Sequence, residues 1–254
     1  MGPANDVGIH RRVSWIINMS NVLLLGDGAH MDLYKMALAF ADGVASLHIN
    51  QPLSGDESDL VITEPFYLSG ERLKELKVSG FHGTVILEKL AAHTPEEMRH
   101  IREAFLYCRL YVAHTRLFSQ PLSLPRNGPV HIVWPNLYDT GMDPIWNTLP
   151  NIIDAIFLST GGRMPELKAV ERTATGLALH FQIDSLELVV LLVPGKSDDL
   201  VTVNGAYAAW PNAFNTIRGV WKAAHIDGGY SSWTHTMTVL ERIQQARELL
   251  QKEE

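Results

Sequence analysis

From Asn21 to Phe40 the chain reads NVLLLGDGAHMDLYKMALAF. An unbroken apolar run gives way to Gly26 and Gly28, then to apolar residues at Leu33, Met36, Ala37 and Phe40. Continuous apolarity suits a strand covered on both faces, and three- and four-residue spacing suits a helix with one buried face. The segment therefore predicts strand, tight turn and helix. The turn admits two readings. Gly26, Gly28, Ala29 and His30 seat a dinucleotide pyrophosphate on the exposed N–H groups of the helix start, or they form a plain connection with no ligand. Met31 stands where the dinucleotide fingerprint has its third glycine, and Asn50-Gln51 stands where an acid would hold a ribose hydroxyl.

The alternation continues. VASLHI, DLVIT (59–63), GTVILE (83–88) and RLYVAHTRLF read as strands, and SGERLKELKVSG reads as a polar-faced helix. HTPEEMRHIREAFLYC carries its own start signals: Thr94 as N-cap, Pro95 at the first helical position and Glu97 at the capping-box position. Strands alternating with helices imply parallel βαβ units, hence a Rossmann-like sheet over about 20–115. After the proline-rich SQPLSLPRNGP the pattern changes. GPVHIVWP is a strand, and IWNTLPNIIDAIFLSTGG is an apolar helix closed by Gly161-Gly162. LKAVERTA, GLALHFQI, LELVVLLVP and LVTVNG then follow at short intervals, which favours antiparallel pairing. A last helix over 232–251 places Trp233, Met237, Leu240, Ile243 and Leu250 along one face. The fold class is α/β, a truncated Rossmann-like parallel sheet followed by an α+β domain with an open, mainly antiparallel sheet. Its parts are an N-terminal extension (1–18), a Rossmann-like domain (19–118) and a C-terminal substrate and oligomerisation domain (119–254).

Composition removes several function classes. Twenty-one Lys and Arg against 28 Asp and Glu give a formal charge of −7, which argues against a surface that tracks nucleic-acid phosphates. Arg11-Arg12 and Arg99/Arg102 are too sparse to reverse this. Cys108 is the only cysteine, so no intrachain disulfide or thiolate cluster forms, and a reducing cytoplasm is the simplest compartment. No run approaches the roughly 18 apolar residues of a membrane span, so no membrane partner is expected. VSWII is too short for a signal-peptide core. Residues 1–18 are a flexible leader, a segment upstream of a start at Met19, or an oligomer-clasping arm.

The chemistry-bearing residues cluster at predicted strand ends. VILEK delivers Glu88 and Lys89 at the C-terminal end of a strand, the edge where open α/β sheets hold ligands. A lysine there donates hydrogen bonds to a carbonyl or hydroxyl and stabilises developing negative charge; the alternative is a surface ion pair. His30 reaches a bound phosphate or is a surface histidine at a helix start, and His93 reads as a loop residue. In GMDPIWN and just before it, Tyr138, Asp143 and Trp146 line a pocket or anchor the core. In HIDGGYSSWTH, Tyr230 and His235 close a cleft, or Ser232 simply caps the last helix. No zinc-binding histidine pair, nucleophile elbow or Walker loop is present.

The order LLLGDGAH, DLVITEP, VILEKLAAHTPEE, YVAHTRLFSQP and NIIDAIFLSTGG resembles the glucose-fructose oxidoreductase / inositol dehydrogenase (Gfo/Idh/MocA) family over roughly residues 21–252. Glu88-Lys89 is similar to its Glu-Lys-Pro signature, with Leu90 in place of the proline. Arg116, Phe118 and Pro121 are similar to an Arg-Phe-x-Pro segment entering the second domain. The resemblance implies an NAD- or NADP-dependent oxidoreductase acting on a small sugar-like, carbonyl or imine substrate, assembled as a homodimer or homotetramer through the C-terminal sheet. Lys89 would polarise the substrate, Pro65 and Glu88 would join the glycine turn at the cofactor, and Arg116, Tyr138, Asp143 and Trp146 would meet the substrate. Only about 60 residues separate the glycine turn from Lys89, so one βα unit is missing after HIN. The family's aspartate and, four residues on, histidine align with Asn147 and Asn151, ahead of Asp154. Asparagine hydrogen-bonds but does not exchange a proton near neutral pH, so the usual acid–base pair is absent. The alternative function is a catalytically degenerate relative that binds a metabolite or serves in assembly without cofactor turnover.

Overall fold

The computed structural model describes residues 19–63, 80–89, 91–136, 144–194, 201–208, 213–225 and 232–252. The chain runs β1 (Ser20–Leu25), α1 (Gly28–Ala39), β2 (Val44–Ile49), β3 (Asp59–Ile62), β4 (Thr84–Glu88), α2 (Pro95–Ala104) and β5 (Arg109–Ala113). A 3₁₀ turn (Thr115–Phe118), β6 (Gly128–Asn136) and α3 (Pro144–Ser159) follow. The remainder is β7 (Glu166–Thr173), β8 (Gly176–Ile183), β9 (Leu186–Pro194), β10 (Thr202–Val203), β11 (Ala206–Tyr207), α4 (Ala213–His225) and α5 (Ser232–Gln251).

The first sheet has the order β2-β1-β3-β4-β5 with every pairing parallel. From β2 the chain returns directly to the other side of β1 through residues 50–58, which contain no helix. A doubly wound sheet would add a strand outside β2 before crossing back, so this sheet is one βα unit short, as the spacing before Lys89 implies. The second sheet, β11-β10-β6-β9-β8-β7, is mixed: β6 and β9 pair in parallel and the other neighbours are antiparallel.

Strand parity decides what each face of the first sheet meets, because successive side chains point to opposite faces. Val22, Leu24, Val61, Ile86, Tyr111 and Ala113 pack against α1 and α4. Leu23, Leu60, Ile62, Val85, Leu87 and Val112 turn the other way, into a core shared with α2, α3, α5 and the inner face of the second sheet. On β9 the inner residues Leu188, Val190 and Leu192 are buried, while Val189, Leu191 and Val193 lie half-buried on the outer face beside Val133 of β6.

Two helix ends match their sequence signals. Thr94 Oγ1 accepts from the Glu97 N–H (3.1 Å), while the Glu97 carboxylate accepts from His93 N (2.7 Å), one residue before the cap. At the end of α3, Gly162 N bonds Phe157 O (2.9 Å) and Gly161 N bonds Leu158 O (3.3 Å), a Schellman motif with both glycines at positive φ.

Other elements depart from the sequence expectation. RLYVAHTRLF is not one strand: β5 stops at Ala113, and from His114 the chain turns into the 3₁₀ segment. The last helix begins at Ser232 itself rather than using it as a cap. SGERLKELKVSG lies largely outside the described residues. Residues 213–225, to which the apolar pattern above assigns no element, form α4. That helix approaches the 3₁₀ turn so closely that a Cβ on Gly219 would sit 2.7 Å from the Phe118 ring. Among the described residues no helix is long and apolar enough to cross a membrane.

At the N-terminal edge of the first sheet, far along the strands from Lys89, buried Asp59 of β3 receives His225 of α4 (Oδ1 to Nε2, 2.9 Å). The other ring nitrogen of His225 lies 2.7 Å from Trp221 O. Burial opposes the charge on each partner, but His225, Ser20 and Thr84 lower the Asp59 pKa, and Asp59 with the Trp221 carbonyl raises that of His225. The pair therefore contributes fully between the ordinary Asp and His values, about pH 4 to 6.5. The contribution falls as pH rises through the raised His225 pKa, and also as pH drops through the lowered Asp59 pKa. Thermal unfolding of His225→Ala against the wild type should show a deficit of about 1 kcal/mol near pH 6 that shrinks above pH 8; a deficit independent of pH would refute the ion pair.

Candidate functional site

The C-terminal edge of the first sheet carries the site. The alternation that sends Ile86 toward α1 sends Glu88 the same way and Lys89 the opposite way, toward α3. His114, one step beyond Ala113, likewise turns to the α3 side. Both side chains converge on Asp154, the fully buried acid of α3. Lys89 Nζ lies 3.4 Å from Asp154 Oδ2 and donates to the amide oxygen of Asn151, one turn earlier on the helix. His114 Nδ1 lies 3.0 and 3.1 Å from the two carboxylate oxygens. His235, in the first turn of α5, brings Nε2 to 2.7 Å from Oδ1. Thr236 Oγ1 sits 2.8 Å from His114 Nε2.

The charge states follow from burial and these contacts. Burial alone would favour a neutral Asp154, but His114 and Lys89, with hydrogen bonds from both histidines, hold its pKa far below the carboxylate range. Burial lowers the Lys89 pKa; Asp154 and Glu88 oppose that shift, and the Arg116 charge adds to it. Burial also lowers the His114 pKa, with the Asp154 carboxylate opposing. The cluster is then an ammonium and a carboxylate in balance, with His114 neutral. In that state His114 donates through Nδ1–H to Asp154 and accepts from the Thr236 hydroxyl at Nε2. His235 donates through Nε2–H, and its Nδ1 has no hydrogen-bond partner among the described residues. The two imidazoles meet edge to face at 4.6 Å, and Phe157 closes over His235 at 4.7 Å.

His114, Asp154 and His235 also offer the donor types and proximity of a metal site. The Lys89 ammonium already shares the same carboxylate. A divalent cation beside it would add like charge in a medium that screens poorly, so the set fits a hydrogen-bonded proton cluster and not a cation.

On the same edge of the sheet, Gly28 opens α1 at φ 69°, and a Cβ there would meet nothing within 4 Å. Asp27, exposed, makes no side-chain cap, and the first turn holds no acid. Among the described residues no side-chain cap from Asp27 occupies its N–H groups, and Gly26, Gly28, Ala29 and His30 suit a diphosphate. The ribose end is different. Asn50, at φ 49°, spends its amide on Gly26, donating to the carbonyl oxygen (2.7 Å) and accepting from the N–H (3.0 Å). Met31, at the third-glycine position, places its sulfur 3.8 Å from the same amide nitrogen. The residues fit a dinucleotide's phosphates but not an acidic grip on its adenosine ribose.

The remaining expected residues divide. Glu88 is buried against α1 and accepts from the Tyr34 hydroxyl, its pKa raised by burial. Asn147 is half-buried one turn before Asn151. Arg116 lies in the 3₁₀ turn, and Trp146 stacks on His93 with ring centroids 4.8 Å apart. Pro65, Tyr138, Asp143 and Tyr230 lie outside the described residues. No acid–base pair rides on α3 at 147 and 151, but the site does not lack histidines: His114 and His235 come to Asp154 from other elements. Sequence reasoning misses His114, because RLYVAHTRLF taken as one strand hides that His114 stands at the C-terminal end of β5, on the edge that carries Lys89.

No family profile matches the sequence, and no curated protein does. Solved structures match in fold. An oxidoreductase from Sinorhizobium meliloti aligns with TM-score 0.66 at 10% identity, over 92% of this chain and 98% of that one. An oxidoreductase from Agrobacterium radiobacter, in complex with NAD+, L-tartaric acid and magnesium, gives 0.66 at 10% over 93% and 98%. The WlbA dehydrogenase from Thermus thermophilus, in complex with NAD and UDP-GlcNAcA, gives 0.59 at 13% over 89% and 94%. At such identities the likeness is one of fold, and it is the fold that the Gfo/Idh/MocA resemblance implies.

Removing one partner of a buried ion pair strands the other. Asp154→Asn should cost about 3 kcal/mol in denaturant unfolding. Lys89→Met combined with Asp154→Asn should cost less than the sum of the two single changes; strict additivity would mean that the pair is not coupled.

Proposed function

We propose that the chain is an NAD(P)-dependent oxidoreductase of the Gfo/Idh/MocA type, acting on a small sugar-like, carbonyl or imine compound. The observation that carries this reading is Lys89, held on Asn151 and Asp154 at the same sheet edge as an uncapped, glycine-opened helix start. Gly26, Gly28, Ala29 and His30 would hold the diphosphate, and the nicotinamide, when bound, supplies or accepts a hydride. Lys89 then orients the substrate oxygen or nitrogen and donates the proton that balances the negative charge left by hydride addition. Its buried setting, which lowers its pKa, eases that transfer. Asn151 fixes the direction of the ammonium, and Asp154 keeps it charged until substrate takes the proton. The NAD-bound Agrobacterium and Thermus enzymes share this fold, which is support by analogy.

Fluorescence titration with NADH and NADPH should detect binding of at least one. Lys89→Met should retain that binding while losing about 10²- to 10⁴-fold in turnover across a panel of carbonyl and imine compounds. Binding of neither cofactor would remove the redox reading and favour the metabolite-binding alternative, which the Asn50 clamp at the ribose end supports.

The half-buried apolar stripe Val133, Val189, Leu191 and Val193 on the outer face of the second sheet suits a second copy of the chain. Sedimentation should give a dimer or tetramer that Leu191→Lys dissociates; a monomeric wild type at micromolar concentration would exclude this.

A further inference from the structure

One atom in the Asp154 cluster has no task in the reaction proposed above. His235 is buried, its Nε2 is 2.7 Å from Asp154 Oδ1, and its Nδ1 has no hydrogen-bond partner among the described residues. A buried polar atom left unpaired is costly, and its persistence asks for a reason. The comparison within the cluster is direct, because His114 is engaged at both nitrogens, by Asp154 and by Thr236. The unpartnered nitrogen therefore belongs to the one imidazole of the cluster where a proton would break no bond already made among the described residues.

We propose that His235 Nδ1 is where the buried cluster takes up a proton when Lys89 gives one to substrate, so that Asp154 keeps a cationic partner throughout the cycle. This rests on the reading of Lys89 as proton donor. The Lys89 Nζ–H bond breaks and an O–H or N–H bond forms on the substrate, leaving a neutral amine beside the Asp154 carboxylate. A proton from solvent then bonds to His235 Nδ1, making an imidazolium whose Nε2–H still points at Asp154. The cluster's net charge is the same before and after. Reset returns a solvent proton to Lys89 and releases the one on His235.

The surroundings favour this placement. His235 faces Asp154 and the Phe157 ring from α3, His114 from the end of β5, and Thr236 from its own helix. Lys89 lies beyond the carboxylate, and Arg116 acts on Lys89 from the 3₁₀ turn. Glu88 is turned toward Tyr34 on the other face of the sheet. Asp154 is thus the counter-ion for either cation, and losing the ammonium makes an imidazolium the remaining way to balance it.

Lys89→Met imitates the state after proton transfer, with Lys89→Gln as a second variant should the first fail to fold. Long-range ¹H–¹⁵N spectra of histidine-labelled protein report both tautomer and charge. In the wild type at pH 7, His114 should appear as the Nδ1–H form and His235 as the Nε2–H form. In the Lys89 variants His235 should show an imidazolium signature at pH 7 that the wild type lacks, with His114 unchanged. Adding Asp154→Asn should abolish that uptake. The proposal is overturned if His235 stays neutral to pH 5 in the Lys89 variants, if it is the Nδ1–H form in the wild type, or if Zn²⁺ added to the wild type engages both imidazoles. NADH titration of the same samples separates the two ideas: lost binding with proton uptake intact defeats the redox reading alone.

Discussion

A single buried carboxylate organises the functional half of this molecule. Asp154 gathers the end of β4 through Lys89, the end of β5 through His114, and the start of α5 through His235, all onto one turn of α3. An isolated charge in such a place would cost far more than folding can spare. Its burial is possible because an ammonium balances it and two imidazole N–H groups complete its hydrogen bonding. The three approaching elements are fixed by that need as firmly as by apolar packing. Any relative motion of the sheet edge, α3 and α5 would expose or strand a charge.

Parity along the parallel strands is what makes the gathering possible. Glu88 and Lys89 are adjacent in sequence yet serve opposite faces, one bonded to Tyr34 of α1, the other to Asn151 and Asp154 of α3. A one-residue slip of β4 would exchange them, burying an acid against Asp154 and an ammonium against the Tyr34 hydroxyl. The register recorded between β4 and β5, Leu87 with Val112 and Glu88 with Ala113, is also the register that sets Lys89 and His114 side by side.

Much of this was legible in the sequence. Apolar runs and glycine turns are local signals, so both sheets, the α2 cap and the glycine closure of α3 could be read directly, and the strand-end rule pointed to Lys89. The rest depends on contacts between distant segments. Nothing local marks His235 as a partner of Asp154, 81 residues away. Asn50 has the composition of a missing ribose ligand, but its use as a clamp on Gly26 shows only when β2 is placed beside β1. Helix α4 was silent for a different reason. Its buried residues Ile217, Val220, Trp221 and Ala224 cover the α1 side of the sheet, and Gly219 within it reads as a breaker until the close approach of Phe118 explains it.

The shortened edge and the displaced histidines are connected by the same economy of position. With no strand outside β2 among the described residues, the rim beyond the glycine turn is an edge, and Asn50 holds that turn from the side where a ribose would otherwise be gripped. The glycine turn is therefore shaped by the chain's own side chain and does not depend on a ligand for its form. The buried cluster around Asp154 is likewise set by packing. With asparagine at 147 and 151, α3 offers an acid but no imidazole, and the imidazoles on that acid come from a strand end and from the last helix. An imidazole carried on α5 links the buried cluster around Lys89 to the element that also packs against β5, α2, α3 and β7. The integrity of the shared core and the protonation of the site are consequently properties of one assembly: a core substitution that shifts α5 changes the distance from His235 to Asp154 before it changes anything at the glycine turn.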